Sequence, residues 1–437
     1  MIISNLVGII ADDLTGANDT ALQFQKLGAK TKILLDYNEQ PQNDSKTEVW
    51  AISTESRNID ASEAILRVEN TLNNLNMNLS LEYFYKKIDS TLRGHIAVET
   101  LELIDSLNYD ASIIVPAFPS EGRITVGGYH LSKGIPVSRT EMATDPHSPI
   151  TESHIPTFFS SQLGEKDSSI IGIIGLSTVI NGAGPILMKM NELIKDGKKL
   201  IIADATCNTD IEQIVLAISK SNYKILPAGT AAMGSSLAKN WLPELEDDSA
   251  PIVIPKQPRL IISGSATGIN ANQIEQLEKS YDYDVCSLAL TAEDVFNYKI
   301  EEYTNKVLLV LGENDTVIVH SSRLLDNFDG FSEESLKDEL TRAKFATKIT
   351  DFLAELTKRI VEKKNVLLIT LGGETSYKCC NAISSKELVM LDEVAPAIAL
   401  CKDYKNRLII TKSGNLGNQK TLIEILNYIE KHEQIQE

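Results

Sequence analysis

The stretch LVGIIADDLTGANDT (Leu6 to Thr20) decides how the chain is to be read. Its first six residues form an apolar run of the length and type of a strand buried on both faces. Two aspartates follow at once, then Thr15 and Gly16, where a helix is expected to open with Thr15 as its cap, a purely structural capping role for one of the aspartates being the alternative. Strand, polar turn and helix in so few residues make the start of a β-α unit, and the same succession recurs downstream.

The runs TKILLD, EVWAIS, LEYFYKKI, ASIIVPA, SIIGIIG, KLIIADA and YKILPAG alternate with segments of helical period such as ASEAILRVENTLNNL and AVETLELIDSL. This alternation predicts an α/β fold with a largely parallel sheet flanked by helices. Asn240 to Pro258, NWLPELEDDSAPIVIPKQP, combines prolines with an acidic cluster, as interdomain linkers do. Beyond it RLIISGSA, TGINANQIEQLEK, DTVIVHSS, a long helix over EESLKDELTRAKFATKITDFLAELTKRIVEKK, NVLLITLGG and RLIITKSGNLG restart the pattern. A chain of 437 residues exceeds the size of one hydrophobic core. The expectation is a first domain over residues 1–240, a linker over 241–258 and a second α/β domain over 259–437, with the active site in the cleft between them.

The formal net charge of −18 argues against nucleic acid or an anionic membrane surface as the main partner, since both need a basic field. A small anionic substrate stays compatible if basic groups gather in its pocket. Five cysteines lack metal-ligand spacing, and their odd number argues against a closed disulfide framework. With no basic leader and no apolar run near the ~20 residues of a membrane span, a cytoplasmic location is expected. Phe118 to Ile150 has little periodicity and carries Arg123, His130, Arg139 and His147. It reads as a substrate-side loop or lid, with a β-hairpin used for homodimer contacts as the alternative.

Ligands of open α/β sheets bind beyond the carboxyl ends of strands. There the first half offers Asp12 and Asp13 after LVGIIA, Thr54 to Arg57 after EVWAIS, and Lys86, Lys87, Asp89, Ser90, Thr91 and Arg93 after LEYFY. Adjacent carboxylates repel unless a cation, a basic side chain or a polyhydroxylated ligand is present. In KKIDSTLRG, Ser90 and Thr91 suit the cap of a helix near Leu92, whose amides attract an anion, or Asp89 and Ser90 simply cap it. In the second half SGSATG, LGGETS and KSGNLG place small and glycine residues between strand and helix, as in a nucleotide-phosphate cradle. No dinucleotide fingerprint or Walker A sequence occurs, and the six histidines have no ligand spacing, which disfavours a dehydrogenase or a zinc aldolase. A small-molecule binding protein without catalysis would explain the first half but not these glycine loops.

The motifs IADDLTGANDT, TESR, YKKIDSTLRG, VPAFPSEGRI, the strand-end SGS, LGGETS and KSGNLG occur in an order that resembles the four-carbon acid sugar kinases, over nearly the whole chain. The resemblance implies an N-terminal domain for the sugar acid, a C-terminal domain for ATP with Mg²⁺, and phosphorylation of a terminal 4-hydroxyl. TESR and KKIDST look more like the D-threonate and D-erythronate kinases than the 3-oxo-tetronate kinases. It further implies substrate contacts at Asp12, Arg57, Lys87, Ile88, Asp89 and Ser90, and ATP contacts at Ser263, Gly372, Gly373, Glu374, Thr375 and Gly417. Arg57 and Lys87 suit a clamp for the C1 carboxylate. Asp12 is the expected proton acceptor, Asp89 its rival, and Asp13 an aid to metal or loop placement. Leu416 departs from the family pattern, which has an aromatic there.

Overall fold

The run that opens the chain forms β1 (Val7–Ala11), buried along its whole length. It sits inside a sheet with β2 (Thr31–Leu34), β3 (Val49–Ser53), β4 (Tyr83–Lys87) and β5 (Ala111–Val115). The computed structural model describes residues 6–41, 46–145, 148–164, 168–242, 251–264, 267–280, 283–322, 324, 342–414 and 416–434. The chain divides into two compact units, Met1–Asp248 and Ser249–Glu437. Of the expected linker, residues 243–250 lie outside the described residues.

In the first unit a small antiparallel sheet follows β5, made of β6 (Arg123–Val126), β7 (Tyr129–Ser132) and β8 (Ile135–Pro136). Then come β9 (Ile171–Ile174), β10 (Leu200–Ala203) and β11 (Ile225–Gly229). The main sheet has the order β2-β3-β1-β4-β11-β5-β10-β9, every neighbouring pair parallel. Helix α1 (Leu14–Gln25) follows β1, α2 (Ala61–Asn78) follows β3 and α3 (Ile96–Ser106) follows β4. Ile10, Trp50, Ile52 and Phe84 of the strands pack with Val68 and Leu72 of α2 and with Leu103 and Ile104 of α3. Burying each such side chain is worth about 1.5–3 kcal/mol, which fixes the register. That register sets Ala11 beside both Ser53 and Lys87, so the residues after three strands emerge at one edge.

The segment after Phe118 is a hairpin rather than an irregular lid. Asp204, at the end of β10, accepts from the amides of Gly127 (2.7 Å), Gly128 (3.0 Å) and Leu176 (2.9 Å), anchoring the β6–β7 turn. Backbone bonds between Thr125 and Ala205 tie the hairpin further to β10. His147 lies outside the described residues.

In the second unit β12 (Ile254–Pro255) pairs with β20 (Glu433–Gln434). The main strands are β13 (Arg259–Ser263), β14 (Val285–Ala289), β15 (Thr316–His320), β16 (Leu367–Leu371), β17 (Glu387–Ala395), β18 (Ile398–Asp403) and β19 (Leu408–Lys412). Their order is β14-β15-β13-β16-β19-β18-β17, parallel from β14 to β19 and antiparallel over the last two pairs. The β17–β18 hairpin was not expected. Its segment ELVMLDEVAPAIALCKD has a single proline as turn signal, and Ala397 takes φ 62° to close it. The long helix covers Arg342–Lys363, and residues 333–341 of its expected length lie outside the described residues.

Candidate active site

Asp12, Asp13, Arg57 and Asp89 meet where β1, β3 and β4 end. Arg57 donates from Nε to Asp12 Oδ2 (2.9 Å), from NH2 to Asp12 Oδ1 (3.0 Å) and from NH1 to Asp13 Oδ2 (2.9 Å). Its NH2 also lies 2.8 Å from Asp13 Oδ1 and 3.5 Å from Asp89 Oδ1. Burial alone would ease the proton off Arg57, but the three carboxylates outweigh it and hold the charge well above its ordinary range. A recess opens beside this guanidinium, lined by Asn58, Gly94, His95, Ser148 and Gln162.

The expected division of labour, with Thr15 as cap and both aspartates free for a ligand and its metal, needs correction. Asp13 is the cap: its backbone is extended (φ −148°, ψ 161°), and its Oδ1 accepts from the Gly16 amide at 2.8 Å. Thr15, already inside the first turn, donates its hydroxyl to Asp13 Oδ2 at 2.7 Å. Burial would raise Asp13, but Arg57, Lys87 and Thr15 prevail and keep it below the usual carboxylate range. Among the described residues no group of three His, Cys, Asp or Glu side chains is placed to hold a metal ion.

KKIDSTLRG also folds otherwise than expected. No helix begins near Leu92, which sits at φ 71°; α3 starts at Ile96. Asp89 closes the intervening turn, its Oδ2 accepting from the amides of Thr91 (3.0 Å) and Arg93 (3.2 Å), from the Thr91 hydroxyl, and from Arg93 Nε (3.1 Å). Arg93 NH2 reaches Asp89 Oδ1 at 3.0 Å, while its NH1 pairs with Asp145 at 3.2 Å. Burial opposes ionisation of Asp89, yet Arg93, Arg57 and Thr91 hold it well below its ordinary value. The amides expected to attract an anion are thus taken by a carboxylate of the chain itself. Asp145, 52 residues from Arg93, carried no local signal.

Lys87 is buried and donates to the Ile88 carbonyl at 2.9 Å. The Ile88 side chain belongs to the core, and its amide donates to Gly229. Lys86 forms a buried ion pair with Glu99. Ser90 accepts from Arg123 NH1 at 2.5 Å.

Glu55 accepts from the Leu14 amide (2.9 Å) and the Ser53 hydroxyl (2.6 Å). Burial pushes it up to about 8, opposed by the Ser53 bond and reinforced by Asp13. The folded protein therefore keeps a proton that the unfolded chain releases near pH 4.5. Its contribution is complete below that pH and is lost as pH rises towards 8. Glu55→Gln keeps both acceptor contacts. Urea midpoints measured from pH 5 to 8 should fall less in the variant than in the unaltered protein, and parallel curves would show that Glu55 stays ionised.

In the second unit the register sets Ser263 beside Leu371 and Leu371 beside Lys412, bringing the three glycine-rich loops to one sheet end. The Ser263 hydroxyl is buried with no partner among the described residues. A Cβ at Gly264 would stand 2.5 Å from Thr375 Oγ1, so the backbone passes where any other residue would intrude. Helix Gly373–Ala382 starts behind Gly372 with no side-chain cap, leaving a positive end for an anion. Glu374 turns to Thr350 (3.1 Å) and Lys378 (3.0 Å) instead. Gly417 lies in the loop that leads to helix Thr421–His432. Leu416 packs into this unit's apolar core. Ser265, Ala266 and Asn415 lie outside the described residues. An orphaned hydroxyl and an uncapped helix start fit a nucleotide phosphate.

Comparison with known proteins matches residues 7–237 to a sugar-binding N-terminal domain and residues 260–422 to a nucleotide-binding C-terminal domain. The chain is 29% identical to a D-erythronate kinase of Heliobacterium modesticaldum, covering 98% of this chain and 97% of that protein. It is 27% identical to a D-threonate kinase of Salmonella typhimurium (97% and 98%) and 25% identical to a 3-oxo-tetronate kinase of Haemophilus influenzae (95% and 97%). The solved fold of Haemophilus influenzae protein HI1011 matches with a TM-score of 0.68 at 24% identity, over 97% of this chain and 99% of that one. Among the described residues no helix is long and apolar enough to cross a membrane.

Proposed function

Since the chain belongs to the four-carbon acid sugar kinase family, we propose that it transfers the γ-phosphoryl group of ATP to the 4-hydroxyl of D-threonate or D-erythronate, giving the 4-phosphate and ADP. The observation that carries this reading is the gathering of Asp12, Arg57, Lys87, Asp89 and Ser90 at one sheet edge of the sugar-binding unit. Erythronate and threonate are preferred over the oxo acids because the relatives with those names are the more similar.

Phosphoryl transfer through a loose transition state asks for alignment and charge neutralisation more than for a strong base. Asp12 suits the acceptor hydroxyl. A carboxylate has about four lone-pair sites, and among the described residues the Asp12 carboxylate receives N–H groups from Arg57 alone, whereas Asp89 is filled by Thr91 and Arg93. In the second unit Ser263 and the helix start at Gly372, Gly373 and Thr375 hold the phosphates, with Gly417 beside them. Since among the described residues no group of three His, Cys, Asp or Glu side chains is placed to hold a metal ion, Mg²⁺ would come bound to the nucleotide and would supply charge neutralisation there.

The test is ATP consumption over a panel of D-threonate, D-erythronate, L-threonate and 3-oxo-tetronates. Turnover with a D-acid supports the reading, and silence on all of them removes it. A sugar-acid binding protein without catalysis would show no rise in melting temperature with ATP and Mg²⁺.

A further inference from the structure

Arg123 begins β6 and is only 8% exposed. Among the described residues its guanidinium has the Ser90 hydroxyl as sole hydrogen-bond partner, and its Nε is buried with none. The neighbouring guanidiniums differ sharply: Arg57 spans two aspartates, and Arg93 holds Asp89 and Asp145. Keeping a buried guanidinium largely unfilled is costly unless another group arrives to fill it. Burial lowers the affinity of Arg123 for its proton, against the nearby charges of Asp89 and Glu121.

The hairpin holds Arg123 in place from several sides. His130, fully buried on β7, has Nε2 2.9 Å from the Ser90 carbonyl and Nδ1 3.0 Å from the Thr125 hydroxyl. A carbonyl only accepts, so Nε2 carries the hydrogen and Nδ1 accepts from Thr125. Burial pushes His130 down to about 4, which keeps this neutral form. Thr125 is in turn bonded to Ala205, and Asp204 grips the turn. Ser90 is thus fastened at hydroxyl and carbonyl by one rigid hairpin, with the largely unpaired guanidinium of Arg123 beside it. On the other side of the same turn, Asp89 faces Arg57 and, through it, Asp12.

We propose that Arg123 binds the carboxylate of the acid substrate beside Ser90, while Arg57 serves to neutralise the aspartates. This rests on the sugar-acid reading above, and departs from the expectation that Arg57 and Lys87 form the clamp. A carboxylate offers the paired acceptors that a guanidinium fork lacks here. A four-carbon acid held by its carboxylate at Arg123 would extend its hydroxyl end across the Asp89–Ser90 turn towards Asp12.

The experiment is direct titration of the full chain, without nucleotide, with D-erythronate, D-threonate and their neutral amides. The unaltered protein should bind acid better than amide. Arg123→Gln should weaken the acid about 100-fold and leave the amide unchanged, with Arg123→Lys in between. Acid affinity within about threefold of the unaltered protein, an equal loss for acid and amide, or no binding of any acid by the unaltered protein would each overturn the proposal. If Arg123→Gln does not fold, Arg123→Lys carries the test, since it keeps the charge and loses the fork. ATP consumption measured alongside separates the two readings. Acid binding that depends on Arg123, with no turnover, would sink the kinase and leave the carboxylate site standing.

Discussion

Arg57→Met should cost about 3–5 kcal/mol of folding stability at neutral pH. The side chain is 11% exposed and faces Asp12, Asp13 and Asp89, so its removal leaves buried negative charges with no common counter-ion. Asp13 and Asp89 are held below their ordinary values partly by Arg57. Their contribution to stability is therefore present above about pH 4 and is lost as pH falls through their folded values. The destabilisation by Arg57→Met should be largest near pH 7 and shrink in acid, where the carboxylates take up protons. Arg57→Lys should recover only part, because one ammonium cannot bridge two carboxylates as the guanidinium does. Urea unfolding of the three proteins at pH 7 and pH 4 checks this. A loss below about 1 kcal/mol at pH 7, the size of an exposed pair, would mean the cluster does not depend on its arginine.

The second large effect is expected on turnover. Asp12→Asn keeps the shape of the side chain but removes the charge that accepts from Arg57 and, on our reading, from the substrate hydroxyl. Removing such an acceptor lowers turnover by about 10²–10⁴-fold. Turnover and KM should be measured separately, with the melting temperature as a control for the lost pairing with Arg57. Near-normal turnover would dismiss Asp12 from proton handling, and a change confined to KM would make it a binding residue only. Asp89→Asn is the comparison. Because Asp89 closes its own turn with Thr91 and Arg93, its loss should show first in stability.

Much of this was legible from the chain. Each apolar run expected as a strand in the first half forms one, and in the inner strands burial on both faces leaves a continuous signature that needs no partner to be seen. The β17–β18 hairpin is not legible in the sequence because β17 alternates between buried and half-buried positions, which gives a weaker run, and the turn has little punctuation. The strand-end rule also drew attention to Asp12, Arg57, Lys87 and Asp89. Whether Thr15 or an aspartate caps the first helix stays open in the sequence, because capping depends on an extended backbone that composition does not reveal. The helix expected near Leu92 does not form, because a left-handed residue stops the turn from becoming one.

The sequence by itself determined the α/β alternation and the kinds of side chain that reach the functional edge, since period and strand-end position are local properties of the chain. Only the tertiary structure decided which charge holds which. Arg57 and Asp12 stand 45 residues apart, Arg123 and Ser90 33 apart, and Arg93 and Asp145 52 apart. Those pairings arise from the register of non-consecutive strands and from a hairpin fastened to β10, and local periodicity carries no record of either.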